Sequence, residues 1–123
     1  MKVMHLCEAT LGGAGRHVLE MTEAISARGF EVHFVYSTLR SDKGFLAGLA
    51  KLRESRPEIR LHEIDMTRNP GPGDLAALRK FRAYTSRNGP FDVIHSHCTK
   101  AGFLARIGAS SARQVYTPNA FLS

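Results

Sequence analysis

Apolar positions recur along this chain in two alternating rhythms, one of period two and one of three to four residues. Lys2 to Cys7 is a short apolar run carrying Val3, Met4 and Leu6, too short for a helix and ended by glycines, which is the pattern of a buried strand. Leu11-Gly12-Gly13-Ala14-Gly15 reads as the turn after it. From Arg16 to Arg28, Val18, Met21 and Ile25 recur at helical spacing with Leu19 beside them, and Gly29 supplies a left-handed stop. Glu31 to Ser37 is β-branched and aromatic, so a second strand follows.

The same alternation continues to the end. A second helix is predicted over Gly44 to Glu54, burying Phe45, Leu49 and Leu52, with Pro57 closing it. Ile59, Leu61 and Ile64 mark a third strand, and Asn69-Pro70-Gly71-Pro72-Gly73 reads as a loop. Asp74 is the predicted N-cap of a third helix whose Leu75, Leu78, Phe81 and Thr85 share a face, ended by Asn88-Gly89-Pro90. Phe91 to His97 is a fourth strand, Lys100 to Ala109 a short helix and Arg113 to Thr117 a fifth strand. Strict alternation with short connections predicts one α/β domain: a Rossmann-like, doubly wound parallel sheet with helices on both faces and right-handed crossovers. No closing helix follows the fifth strand, so the domain is expected to be truncated there.

Composition narrows the classes. The 123 residues are 43% hydrophobic, which suits a globular domain with a real core. The apolar runs fall far short of the roughly 20 residues that cross a bilayer, and Met1 to Cys7 is no signal peptide because Glu8 and glycines follow at once. A cytoplasmic location is expected. The formal charge of +6 favours anionic partners, but the basic residues are scattered among acidic ones without a nucleic-acid motif. No nucleic-acid partner is expected. Cys7 and Cys98 read as two reduced, buried thiols. No metal site is expected either, since zinc wants clustered ligands and the six histidines are scattered in sequence.

In such a sheet, ligands bind beyond the carboxyl ends of the strands. Three segments fall there: Gly12 to Gly15, His97 to Lys100, and Thr117 to Phe121. Glycines allow a backbone to approach a phosphate, and the following helix offers free N–H groups and a partial positive charge. The dinucleotide fingerprint is incomplete, however, with Val18 where its third glycine belongs and Ser37-Thr38 where an acidic residue would hold a ribose. A tight turn that binds nothing fits the same glycines. His95 and His97 share a face of their strand. His97 lies nearer the crevice and could accept a hydroxyl proton, whereas His95 is expected to be partly buried. Lys100 opens the next helix and could meet an anion; Arg16 and His17 open the first one. His5, His17, His33 and His62 lack such company. If the first and fourth strands are neighbours, Cys7 and Cys98 lie near each other at the crevice end.

Taken in order, Gly12-Gly13-Ala14-Gly15-Arg16-His17-Val18-Leu19, Asp92-Val93-Ile94-His95-Ser96-His97, Lys100-Ala101-Gly102-Phe103 and Val115-Tyr116-Thr117-Pro118 resemble the N-terminal, acceptor-side domain of glycosyltransferase family 4, of GT-B architecture. The resemblance implies retaining transfer of a sugar from a nucleotide-diphosphate sugar to an acceptor hydroxyl, with no cofactor and no required metal. It implies that Gly12, Gly13 and Gly15 line the donor phosphates and that His97 stands near the reacting centre as the catalytic residue. Arg16, Lys100 and Asn119 are the implied ligand contacts. A glycan or lipid-linked acceptor, polysaccharide or glycolipid synthesis and peripheral contact with the inner membrane face also follow from it. Two positions depart from the family: Gly15 stands where an acidic residue is common, and Pro118-Asn119-Ala120 replaces Pro-His-Gly. The C-terminal donor-binding domain is absent from the chain, which implies an inactive fragment whose uncovered face could form a homodimer. A stand-alone nucleotide- or phosphosugar-binding module and a receiver-like interaction domain are the alternatives.

Overall fold

A computed structural model describes residues 1–7, 12–39, 41–66, 72–97 and 113–116. In chain order these form β1 (Lys2–Cys7), α1 (Gly12–Ala27), β2 (Glu31–Tyr36), α2 (Lys43–Ser55), β3 (Arg60–Glu63), α3 (Pro72–Asn88), β4 (Val93–Ser96) and β5 (Arg113–Tyr116). The five strands make one sheet in the order β3-β2-β1-β4-β5, and every pairing is parallel. The expected doubly wound α/β architecture is therefore present. The helix predicted over Lys100 to Ala109, the turn at 69–71, and Cys98, Lys100, Asn119 and Thr117 to Phe121 lie outside the described residues.

The strand order also rules out the receiver-like alternative. Receiver and flavodoxin sheets run 2-1-3-4-5, whereas 3-2-1-4-5 follows the Rossmann order 3-2-1-4-5-6 over five strands. In this order the chain reverses direction across the sheet between β1 and β4. That switch point is where a doubly wound sheet opens a crevice.

Alternating side chains of the central strands feed two cores. On one face Cys7, Phe34 and Tyr36 pack with Val18 of α1 and with Phe45 and Leu49 of α2. On the other, Met4, Leu6, Val35 and Ile94 pack with Ala77, Phe81 and Tyr84 of α3. The sheet is thus covered on both sides, which is why β1 and β2 carry little polar surface. Helices α1 and α2 also approach closely: a Cβ on Gly48 would lie 2.7 Å from Leu19 Cδ1.

Helix ends explain most departures from the sequence reading. Helix α1 begins at Gly12, not at Arg16, so the glycines form its first turn. Glycine is permissive, and first-turn N–H groups need no intrahelical partner. Gly29, at φ 90°, stops the helix as expected. Asp42 caps α2 by accepting from the Phe45 N–H at 2.8 Å. Helix α3 begins at Pro72, because proline's missing N–H costs nothing in a first turn. Asp74 is consequently a first-turn residue beside the positive end of the helix rather than the N-cap. The buried face keeps Phe81 and Leu78 as expected and adds Ala77 and Tyr84, while Leu75 is 64% exposed.

A polar network fastens α3 to β2. His33 is buried, with Nδ1 2.5 Å from the Tyr84 hydroxyl and Nε2 2.7 Å from Glu31. Burial lowers the His33 pKa, and burial also raises that of Tyr84, to about 12. The contact with Glu31 is therefore a neutral N–H donating to a carboxylate, and the Tyr84 O–H donates to Nδ1.

The reassigned face of α3 has a measurable consequence. Phe81→Ala empties a fully enclosed site and is expected to cost about 3–5 kcal/mol. Leu75→Ala, at an exposed site, is expected to stay within about 0.5 kcal/mol. Urea denaturation of the two variants measures both, and equal losses would contradict the assigned face.

Candidate functional site

The site is built where β1 and β4 lie side by side. Their register pairs His5 with His95, so these two side chains share a face, and His97 follows two residues later on the same side. This is the face covered by α1, since Cys7, two residues beyond His5, packs against Val18. The backbone N–H of His97 donates to the carbonyl of Leu6 at 2.9 Å and extends the ladder by one bond. The topological switch point is thus lined by three imidazoles.

Their geometry is tight. His5 Nδ1 lies 3.0 Å from His97 Nε2. The His95 and His97 rings stack with centroids 4.0 Å apart, and the His5 centroid lies 5.3 Å from each. His5 and His97 are fully enclosed and His95 is half-buried. Burial first, and then the neighbouring His95, push His5 down to about 3 and His97 to about 2. The His95 pKa is lowered too, by burial and then by His17. All three are neutral rings at physiological pH.

Neutrality fixes a hydrogen-bond deficit. Of the facing nitrogens of His5 and His97, one must donate and the other accept. The outer nitrogens, His5 Nε2 and His97 Nδ1, are buried with no hydrogen-bond partner among the described residues. Whichever tautomer holds, one buried N–H and one buried lone pair remain without a partner at the switch point. Buried unsatisfied groups are uncommon in folded proteins and call for a specific explanation.

Among the other sequence candidates, Gly12, Gly13 and Gly15 form the first turn of α1, and Gly15 is buried. Arg16 and His17 are exposed. Ser37, at the end of β2 where a dinucleotide site would place an acidic residue, is buried and accepts from the Met66 N–H at 3.1 Å, a purely structural use. Two readings need correction. The histidines are scattered only in sequence, because three of them meet in space. His5 does not lack company, and it is the residue the sequence reading missed. Placing the first strand beside the fourth and extending the period-two alternation across both was the signal that pointed to it.

Two of the three histidines, His95 and His97, and the first turn of α1 lie within a region that matches a known family, and His5 lies just before it. Residues 12–120 match the glycosyl transferase 4-like domain. The chain belongs to that family. Among solved structures, this glycosyl transferase 4-like domain is similar to Acinetobacter baumannii MurG, with a TM-score of 0.65 at 16% identity over 94% of this chain. It is likewise similar to TcCGT1, solved in complex with UDP, with a TM-score of 0.65 at 12% identity over 96% of this chain. The C-terminal domain of the Pyrococcus furiosus PF1911 hydrogenase is similar as well, with a TM-score of 0.57 at 6% identity over 94% of this chain and 90% of that one. At these identities the likeness is one of fold. The chain spans 34% of the MurG chain and 28% of the TcCGT1 chain. No curated protein matches it. Among the described residues, no helix is long and apolar enough to cross a membrane.

The depressed histidines make stability depend on pH in a definite direction. An unfolded histidine titrates near 6.5, above the folded values of His5 and His97. Below that pH the unfolded chain binds more protons, so stability is complete above about pH 6.5 and is lost as the pH falls towards the folded values. Each buried ring contributes a slope of up to about 1.4 kcal/mol per pH unit in that window. Urea midpoints are expected to be flat above neutrality and to drop steeply below about pH 6. A midpoint unchanged between neutrality and about pH 5 would contradict neutral, buried rings.

Proposed function

We propose that this domain is the acceptor-side half of a GT-B glycosyltransferase that transfers a sugar, with retention, from a nucleotide-diphosphate sugar to an acceptor hydroxyl. One observation carries the reading: the glycine-rich first turn of α1, where the family match begins, is the next element after β1, and the histidines of β1 and β4 flank the switch point on the α1 side. First-turn N–H groups and the helix dipole favour the diphosphate of a donor. The lack of an acidic residue in that turn fits an anionic ligand. The net charge of +6 has the same sign.

In this reading His97 serves the reacting centre, and its buried Nδ1, without a hydrogen-bond partner among the described residues, is the nitrogen left for a substrate hydroxyl. Half-buried His95 is the ring nearest solvent, and Arg16, Lys100 and Asn119 supply the outer contacts. A neutral imidazole can accept from or donate to a hydroxyl without the cost of burying a charge. A second domain supplies the groups that hold the donor base and sugar, consistent with the chain spanning about a third of MurG. The domain works in the cytoplasm on a glycan or lipid-linked acceptor, in polysaccharide or glycolipid synthesis.

Nucleoside diphosphates titrated into the ¹⁵N-labelled chain provide the test. Weak binding is expected, with the largest amide shifts at Gly12, Gly13 and Gly15 and at the residues next to His97. The same chain is expected to show no sugar transfer from nucleotide sugars on its own. Amides of the first turn of α1 that stay still at millimolar nucleoside diphosphate would overturn the donor-loop assignment. Turnover by the isolated chain would overturn the two-domain reading.

A further inference from the structure

We propose that His5, His95 and His97 form a binding site for a divalent transition metal ion of the zinc class, bridging β1 and β4 beneath α1. One nitrogen from each ring lies within 4.8 Å of one nitrogen of each of the others. A tetrahedral ion with Zn–N bonds of 2.0–2.1 Å holds its nitrogens about 3.3 Å apart. The 3.0 Å separation of His5 Nδ1 and His97 Nε2 is already close to that spacing. An ion would replace the shared proton after a modest turn of the two rings.

The chemistry of the donor set selects the ion. Imidazole suits Zn²⁺, Cu²⁺, Ni²⁺ and Fe²⁺, whereas Mg²⁺ and Ca²⁺ prefer oxygen ligands. Three nitrogens leave a tetrahedral ion one open position. Half-buried His95 marks the side from which an ion and its fourth ligand can enter. The outer nitrogens of His5 and His97 have no partner among the described residues, so no outer hydrogen bond fixes either tautomer against presenting its facing nitrogen to an ion. Loading the ion makes both outer nitrogens N–H donors. Their incomplete pairing weakens the site relative to fully supported zinc centres, so affinity in the micromolar range is expected. The ion would pin β1 to β4 at the switch point, a role separate from sugar transfer, and the inference does not rest on the proposed activity.

The test uses Zn²⁺ alone with the intact chain. Thermal unfolding with increasing Zn²⁺ is expected to give a saturable rise in Tm, as for any ion that binds the folded state preferentially, and Mg²⁺ is expected to give none. His95→Gln, at the half-buried ring, is expected to weaken Zn²⁺ binding more than about 100-fold, while His62→Gln, on β3 two strands away from β1, leaves it unchanged. Cu²⁺ bound to the unmodified chain gives a readout that needs no variant: its electron paramagnetic resonance spectrum is expected to show coupling to three imidazole nitrogens. No Tm response to millimolar Zn²⁺, a response that survives His95→Gln, or a Cu²⁺ spectrum with fewer than three coupled nitrogens would each overturn the proposal.

Discussion

A central parallel strand covered on both faces has no solvent to satisfy its polar groups, and that constraint on β1 governs the rest of the molecule. Its backbone is paired on one edge by β2 and on the other by β4. Its side chains must therefore be apolar or find partners within the protein. Met4 and Leu6 meet the requirement against α3, and Cys7 meets it against α1 and α2. His5 is the exception, a polar ring in the middle of a buried strand. Only the opposing strand supplies it with a partner, through the contact with His97. The core therefore dictates the chemistry of the switch point: the rings sit in a space that excludes water, so they stay neutral and their remaining nitrogens stay unpaired.

The contrast between the two buried histidine systems makes the point. His33 has both ring nitrogens engaged, one by Glu31 and one by Tyr84, and it joins a helix to the sheet at the strands' amino side. Lys2 adds to that fastening, donating to the Asn88 carbonyl and lying 3.5 Å from Glu31. A fully satisfied polar network of this kind specifies structure. The His5 and His97 pair is half satisfied, and it stands on the face and at the switch point where a doubly wound sheet receives ligands. Structural and functional use of histidine thus separate by the state of the second nitrogen.

Much of the fold was legible because periods of two and of 3.6 residues are imposed by burial on strands and helices alike. Lys2 to Cys7 and Glu31 to Tyr36 follow their apolar runs almost to the residue. The starts of α1 and α3 were not legible, for one shared reason. Gly12 and Pro72 have the composition of breakers, but a first helical turn has no intrahelical N–H bonds to break. The face of α3 was legible at Leu78 and Phe81, but not at Leu75, which lies outward, or at Ala77 and Tyr84, which lie inward. At the site, His97 and the glycines were visible through local spacing. His5 was not, because its partner lies 92 positions away and only strand register brings them together. Family membership was legible through motif order, as the match over residues 12–120 shows.

An uncharged histidine cluster at the switch point of a Rossmann-like sheet, with His5 and His97 enclosed, is most directly tested by ¹⁵N NMR of the imidazole rings themselves. At neutral pH, His5 and His97 are expected to show neutral-ring nitrogen shifts, each in a single tautomer, with the N–H between them exchanging slowly with water. At about pH 5, well below the ordinary titration point, the same two rings are expected to remain neutral. Rings that are protonated at that pH and exchange rapidly with solvent would contradict the buried pairing of β1 with β4 on which the site is built.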